Sequence, residues 1–319
     1  MKIIFMGTPD IAVPSLETLI GSCHEVAAVI TQPDQKSGRG MSVKYSPVKE
    51  TALRHGIKCF QPEKVSDPGF LDMLEQEKAD IFCVAAYAQK IPDRLLNMAR
   101  FGCINMHPSL LPRYRGSGPL RGPVMNGDDM TGVTIMQLNS EWDAGDILKQ
   151  ESFTMDKKET ALTLEEKCSV LGARLMLETV DELEAGTAVP VPQDHTKVTY
   201  LKQIRKEDGL IDFNDPAVKI ERQIRACIPW PSAYTYMGDK VFKIWEADTA
   251  DLAPADVPSD VCPGMVVHAD KNGILISTGS GYLKPLSVQL EGKKRMAAAD
   301  FLRGNRTETG FIFGKSFEQ

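Results

Sequence analysis

Short β-rich apolar runs alternate with helix-like stretches along the first half of the chain. Strands are predicted at Lys2–Met6, Val26–Thr31, Ile81–Ala85 and Cys103–Met106, and helices at Val13–Ser22, Val48–His55 and Phe70–Glu77. Parallel strands need long crossover connections, so this alternation is typical of βαβ units. We therefore predict an α/β domain built on a parallel sheet.

The pattern changes near residue 190. Residues 189–208 read VPVPQDHTKVTYLKQIRKED, in which prolines and a basic cluster predict a linker on the surface. One helix, Ala217–Cys227, and several closely spaced short strands follow, a pattern typical of a small barrel of the oligonucleotide-binding (OB) type. We expect one domain over 1–189, a basic linker over 190–207 and an OB-like domain over 208–319.

Composition excludes several classes of protein. The net charge of −6 argues against coating nucleic acid through bulk electrostatics, although the acidic excess lies within residues 1–195. The seven cysteines are scattered without a Cys-x-x-Cys pair, so we expect neither a disulfide framework nor a metal site. The first apolar run stops at Gly7, too soon for a signal peptide or a membrane span, which predicts a cytoplasmic protein.

The densest group of reactive residue types lies within residues 103–148. Asn105 and His107 are two apart at the carboxyl end of a predicted strand, where they project to the same side. Asp143 follows on the glycine-containing loop DAGD and could orient the imidazole or take a proton. Asn105 and a protonated His107 could stabilise an oxyanion, which suits group transfer to an external nucleophile. Taken singly, a structural histidine and a turn-forming aspartate remain open.

The runs HPSLLPRYRG, TGVTIMQL and DAGDIL closely resemble the signature of the folate-dependent formyltransferases. The resemblance continues through MKIIFMGTPDIAVPSLETLI, ITQPDQKSGRG and PWPSAYTY, and so covers nearly the whole chain. It implies a Rossmann-like catalytic domain followed by an OB-like domain. It also implies a catalytic trio of Asn105, His107 and Asp143.

The same resemblance implies the substrates and their contacts. The formyl donor would be 10-formyltetrahydrofolate, a co-substrate bound by Ser109, Leu110, Leu111 and Pro112, with Tyr87 and Ile91 lining the pterin pocket. The acceptor would be the α-amino group of methionine on initiator methionyl-tRNA. The loop KSGRGMSVK, with Lys36, Arg39 and Lys44, would contact the tRNA, as would the second domain. We expect a monomer that needs neither a metal nor a membrane.

Further basic clusters could together follow a phosphate backbone, although any one of them taken alone is more often a solvated surface. They comprise Arg113 and Arg115, then Lys202, Arg205 and Lys206, and finally Lys293, Lys294 and Arg295.

Other functions use the same trio or the same fold. Formylation of an amino sugar nucleotide remains the alternative, although such an enzyme should lack the Arg39 loop. A glycinamide ribonucleotide enzyme is disfavoured by residues 208–319. A dinucleotide-binding oxidoreductase is disfavoured, because the Gly-x-Gly-x-x-Gly motif of that class is absent and only its first glycine, Gly7, is present. The acidic first half argues against a purely RNA-binding module.

Overall fold

The computed structural model describes residues 1–37, 42–250, 260–271, 273–305 and 307–314. The chain forms two compact units and passes between them repeatedly. The first unit comprises 1–119, 130–154 and 164–202, and the second comprises 120–129, 155–163 and 203–319. The last crossing, after Lys202, falls within the predicted linker 190–207. The segments 120–129 and 155–163 of the second unit have no counterpart in the division predicted from the sequence.

The first unit contains a seven-stranded sheet and two small two-stranded sheets. Its strands are β1 (Lys2–Gly7), β2 (Glu25–Ile30), β3 (Gln35–Ser37), β4 (Ser42–Lys44), β5 (Lys58–Phe60), β6 (Ile81–Ala85), β7 (Cys103–His107), β8 (Arg115–Gly116), β9 (Met130–Gln137), β10 (Ile147–Thr154) and β11 (Tyr200–Leu201). The helices of both units are α1 (Val13–Ile20), α2 (Pro47–Arg54), α3 (Pro68–Glu75), α4 (Asp93–Leu96), α5 (Arg121–Asn126), α6 (Ala161–Ala185), α7 (Ala217–Ala226) and α8 (Ala298–Gly304). Among the described residues, no helix combines the length and apolar composition that crossing a membrane requires.

The large sheet has the strand order β10-β9-β7-β6-β1-β2-β5. The five strands from β7 to β5 are parallel, which confirms the predicted parallel sheet. Strand β9 is antiparallel to β7, and β10 is antiparallel to β9 because the short loop over residues 138–146 joins them as a hairpin and leaves no room for a crossover helix. The strand order changes direction between β1 and β6, and open α/β sheets bind their ligands at such a switch point.

Helices α2 and α3 begin at signals that the sequence displays. The Ser46 hydroxyl accepts a hydrogen bond from the Lys49 N–H, and the Asp67 carboxylate accepts one from the Phe70 N–H. A proline occupies the first turn of each helix, where its missing N–H costs nothing. These caps fix the starts of the two helices that lead into β5 and β6.

Helix α6 packs against one face of β7. A Cβ at Gly172 would lie 2.0 Å from the Met106 sulfur, so the glycine lets the helix and this side chain approach as closely as they do. Met106 lies between Asn105 and His107, and successive strand residues point to opposite faces. Helix α6 therefore covers the face of β7 opposite to the two predicted catalytic side chains.

The second unit is built on an antiparallel sheet, as the sequence predicts. Its strands are β12 (Ala233–Met237), β13 (Lys240–Ala250), β14 (Val266–Asp270), β15 (Gly273–Ser277), β16 (Tyr282–Leu290) and β17 (Met296–Ala297). The order is β12-β13-β16-β15-β14, with β17 paired to β16. Its apolar core joins α7 and α8 to the sheet, and Phe242 contacts the rings of Phe301 and Phe313.

Candidate active site

The last three residues of β7 carry two of the predicted site residues. His107 is the final residue of the strand and is only 4% exposed. Asn105 is half-buried, and within the part of the chain that the structure describes its side chain makes no hydrogen bond. The two side chains share a face of β7, with the free amide group next to the imidazole along the strand.

Both ring nitrogens of His107 face an oxygen atom. Nε2 lies 2.9 Å from the carbonyl oxygen of Tyr114, and because a carbonyl can only accept, Nε2 carries a proton. Nδ1 lies 3.8 Å from Oδ1 of Asp143, which is too long for a hydrogen bond but close enough for charge stabilisation. Nδ1 is therefore the nitrogen that remains able to exchange a proton or a hydrogen bond with a substrate.

Asp143 lies in the loop between β9 and β10. Its backbone has a φ of +50°, a left-handed conformation that aspartate tolerates better than most residues. The Gly116 N–H donates to Oδ2 at 2.8 Å, so one carboxylate oxygen is fixed and the other faces His107. The structure thus brings together two members of the predicted trio that are 36 positions apart in the sequence.

Two residues hold this loop: Gln193, which sequence reasoning missed, and Arg115, which it assigned to a basic cluster. Gln193, from the predicted linker, donates to the backbone carbonyls of Asp143 and Gly145. The Arg115 guanidinium donates to the Gln193 side-chain oxygen. Arg115 is only 2% exposed, so its assignment to a basic surface cluster is wrong, because its charge is buried in this network.

The predicted folate segment Ser109–Pro112 is folded against β9 and β10. The Ser109 hydroxyl donates to the Arg113 carbonyl, and its own carbonyl accepts from the Thr134 hydroxyl at 2.7 Å. The Leu111 N–H donates to the same Thr134 oxygen, and its carbonyl accepts from Gln150. Leu110 and Pro112 stay partly exposed, so these two side chains are the surface that the segment offers to a ligand.

Tyr87 and Ile91 follow β6 at the carboxyl edge of the sheet. Both contact one apolar cluster, and Tyr87 is 9% exposed. Burial raises the pKa of Tyr87 to about 12, so the phenol stays neutral. Among the described residues its hydroxyl has no hydrogen-bond partner, nor does the buried side-chain nitrogen of Gln32, which follows β2. Buried donors of this kind need an acceptor, and a bound ligand or water would supply one.

The predicted tRNA loop is partly described. Strands β3 and β4 pair as an antiparallel hairpin, with Lys36 on β3 and Lys44 at the end of β4. The Lys44 side chain is exposed. Arg39 lies outside the described residues. The hairpin leaves the carboxyl end of β2, so its base lies at the same edge of the sheet as the end of β7.

One cluster of possible metal ligands lies away from these elements. Cys23, His24 and Asp181 bring their ligand atoms within 4.8 Å of one another. His24 is already hydrogen-bonded, since its Nε2 lies 2.9 Å from the Asp181 carboxylate and its Nδ1 lies 3.0 Å from the Met1 amine. The cluster therefore resembles a closed ion-pair network.

Comparison with known proteins defines the class. The formyl transferase model matches residues 1–180, and the model of the formyl transferase C-terminal domain matches residues 203–306. The chain therefore belongs to the formyltransferase family. Among curated relatives, it is 47% identical to the methionyl-tRNA formyltransferase of Lachnospira eligens over 99% of this chain and 100% of that one. It is 40% identical to the methionyl-tRNA formyltransferase of Alkaliphilus oremlandii, again over 99% and 100%.

Solved structures share the fold at low sequence identity. The N-formyltransferase from Helicobacter canadensis, in complex with folinic acid and dTDP-3-aminofucose, has a TM-score of 0.65 at 20% identity and covers 89% of this chain and 98% of its own. HypX from Aquifex aeolicus, in complex with tetrahydrofolic acid, has a TM-score of 0.62 at 18% identity, covering 95% of this chain and 47% of its own. The two-unit architecture is thus that of the formyltransferases.

Proposed function

We propose that the chain transfers a formyl group from 10-formyltetrahydrofolate to the α-amino group of methionine on initiator methionyl-tRNA, in translation initiation. The observation that carries this proposal is the full-length relationship to methionyl-tRNA formyltransferases, at 47% and 45% identity in two cases. The site contributes the chemistry: an amide and an imidazole on β7, and a carboxylate whose oxygen lies 3.8 Å from that imidazole.

Asn105 and His107 provide the stabilisation that acyl transfer needs. When an amine attacks a formyl carbon, the formyl oxygen becomes negatively charged. Among the described residues, neither the amide N–H of Asn105 nor Nδ1 of His107 is committed to another hydrogen bond, so that amide and a protonated Nδ1 can both donate to this oxygen. Removing one such donor typically costs about 3 to 4 kcal/mol, or roughly 100- to 1000-fold in rate.

Asp143 acts on charge and protons. Its second oxygen lies 3.8 Å from Nδ1 of His107, close enough for a charge interaction with the imidazole. The attacking amine must lose a proton as the new C–N bond forms, and the carboxylate can accept that proton directly or through water. The oxyanion then collapses and breaks the bond between the formyl carbon and N10 of the folate, and N10 takes up a proton as tetrahydrofolate leaves. General acid–base assistance of this kind contributes roughly 100- to 10,000-fold.

Side chains at the carboxyl edge of the large sheet suit a folate as formyl donor. A reduced pterin carries several nitrogen and oxygen atoms that can accept hydrogen bonds, and the Tyr87 hydroxyl and the Gln32 amide are buried donors without described partners. The exposed parts of Leu110 and Pro112 offer apolar contact. The bound folate supplies the formyl group, and these residues would hold and orient it.

For tRNA, basic groups are available in both units. Lys36 and Lys44 lie on the β3–β4 hairpin, whose remaining predicted contact, Arg39, falls outside the described residues. In the second unit, Lys243 and Arg295 lie 5.5 and 5.3 Å from the Trp245 ring, an aromatic flanked by cations on the sheet. Aromatic and basic side chains together suit nucleic acid, because they contact bases and phosphates at once.

The deciding experiment measures transfer of labelled formyl from 10-formyltetrahydrofolate to two acceptors, methionine-charged initiator tRNA and an amino sugar nucleotide. We expect rapid transfer to the charged tRNA and none to the sugar. Rapid transfer to the sugar with none to the tRNA would overturn the proposed acceptor while retaining the chemistry. Sedimentation of the active sample tests the expected monomer.

The trio is tested by His107→Ala, which should reduce transfer by at least about 100-fold. His268→Ala is a matched control, since His268 also faces an aspartate, Asp270, at 3.7 Å, but on the exposed surface of the second unit. Equal activities of the two variants would contradict the role assigned to His107.

A further inference from the structure

The segment from Val191 to Leu201, which we call the strap, is attached to the catalytic loops at three places. Val191 and Ile147 exchange two backbone hydrogen bonds of 2.8 Å at the start of β10. Gln193 reaches the loop that carries Asp143. Strand β11 pairs with β8, directly after the segment predicted to bind folate. The strap is therefore part of the first unit, and it is hydrogen-bonded both to the loop that carries Asp143 and to strand β8 near the predicted folate segment.

Gln193 makes the closest connection to Asp143. Its side-chain nitrogen donates to the Asp143 carbonyl at 2.9 Å and to the Gly145 carbonyl at 2.7 Å. The two amide hydrogens thus bridge Ala144, and no donor other than Gln193 is described for either carbonyl. Gln193 is 5% exposed, so water competes poorly for these bonds.

Arg115 fixes the orientation of the Gln193 side-chain amide. Its Nε and Nη2 lie 3.1 and 2.7 Å from the Gln193 oxygen. A guanidinium has donors only, so it must face the amide oxygen, and the amide nitrogen must then face the loop. The next residue, Gly116, donates its N–H to the Asp143 carboxylate. Gly116 thus holds the side chain of Asp143 directly, and Arg115 holds its backbone through Gln193.

We propose that Gln193 is a positioning residue for the catalytic carboxylate of Asp143, held in register by the buried charge of Arg115. The inference rests on the proposed function, which makes Asp143 part of the reaction. Asp143 has a left-handed backbone, which persists only when its surroundings fix it. The two bonds from Gln193 supply that constraint on the main chain, and the bond from Gly116 supplies it on the side chain.

The test variant is Gln193→Glu. It keeps an acceptor for Arg115 and nearly the same volume, but it removes both donors to the loop. We expect kcat for formyl transfer to fall by about 10- to 100-fold, with the KM of either substrate changed by less than about threefold. Gln76→Glu is the matched control, because it makes the same change at an exposed position at the end of α3 and should leave kcat unchanged.

Two further measurements separate positioning from a loss of folding. Combined with Asp143→Asn, Gln193→Glu should cost nothing more than Asp143→Asn alone, since both act through one carboxylate. Hydrogen exchange of the Gly116 amide should speed up in Gln193→Glu while the amides of β6 keep their protection. Gln193→Met, which removes all polar atoms at similar volume, should give the same pattern.

Native kcat in Gln193→Glu, or fully additive losses in the double variant, would overturn the positioning role. Global loss of protection in both Gln193 variants would also overturn it, since the residue would then serve folding. If the native chain does not formylate methionyl-tRNA, the proposed function is wrong, and this result leaves the positioning role of Gln193 to be tested separately. The comparison would then use whichever acceptor the native chain formylates, and the Gly116 exchange needs no substrate.

Discussion

Gly145 lies in the loop that carries Asp143, and the structure leaves no room for a larger side chain at this position. A Cβ at Gly145 would lie 1.7 Å from the Gln137 carbonyl oxygen. Normal contact begins near 3.5 Å, so Gly145→Ala must separate the two by roughly 1.5 Å or more. Strand β9 pairs on both sides and cannot yield, so the loop must move. Asp143 is two residues away and moves with it.

A displacement of about 1 Å at a catalytic group can cost roughly 100-fold in rate, so Gly145→Ala should lower kcat by about 100-fold or more. Overpacking should also lower the free energy of unfolding by about 1 to 3 kcal/mol. Steady-state formyl transfer and urea unfolding measure the two effects. Gly304→Ala is the control, since a Cβ there meets nothing within 4 Å. A Gly145→Ala enzyme with near-native kcat would show that Asp143 does not need its observed position.

Three further predictions concern individual side chains. Asn105→Ala should lower kcat by about 100- to 1000-fold with little change in folate KM; a weakened KM at native kcat would make Asn105 a binding residue instead. Tyr87→Phe removes a buried hydroxyl without a described partner, so urea unfolding of the free protein should show unchanged or slightly greater stability, whereas titration should show weaker folate binding. A loss of more than about 1 kcal/mol in the free protein would reveal a partner for that hydroxyl. Burial raises the pKa of the Cys103 thiol to about 12, so iodoacetamide and mass spectrometry should find native Cys103 unmodified and the exposed Cys23 labelled; equal labelling would refute the burial argument.

The elements that could be predicted from the sequence are those with a strong pattern. Strands β1, β6 and β7 are largely buried and mostly apolar runs, and their predicted bounds agree with the structure within one residue. Strand β5, Lys58–Phe60, is three residues long at a sheet edge and only partly buried, so it leaves no alternation to detect. The segments 120–129 and 155–163 cluster with the second unit, and membership of a unit depends on tertiary contact, which local pattern does not encode.

At the candidate site, the sequence motif predicts the trio, whereas the residue that holds its loop is found only in the structure. Asn105, His107 and Asp143 lie in a recognisable run, and the structure brings His107 and Asp143 within 3.8 Å. Gln193 is 50 residues from Asp143 and lies between the exposed Pro192 and Asp194. Nothing in that neighbourhood distinguishes a buried glutamine from a surface one. Its role becomes visible only when its two donors are traced to the loop.

Arg115 shows why charge in a sequence is a weak guide to a nucleic-acid surface. It belongs to a predicted basic cluster, yet it is buried against Gln193, where it could not reach a phosphate. A buried arginine must be hydrogen-bonded, since an uncompensated charge would be costly, and the Gln193 oxygen meets part of that need. The Arg115 guanidinium therefore orients the Gln193 amide, and through that amide it holds the loop that carries Asp143. Basic residues that contact tRNA must be sought instead among exposed side chains such as Lys44 and Arg295, whose charges remain open to solvent.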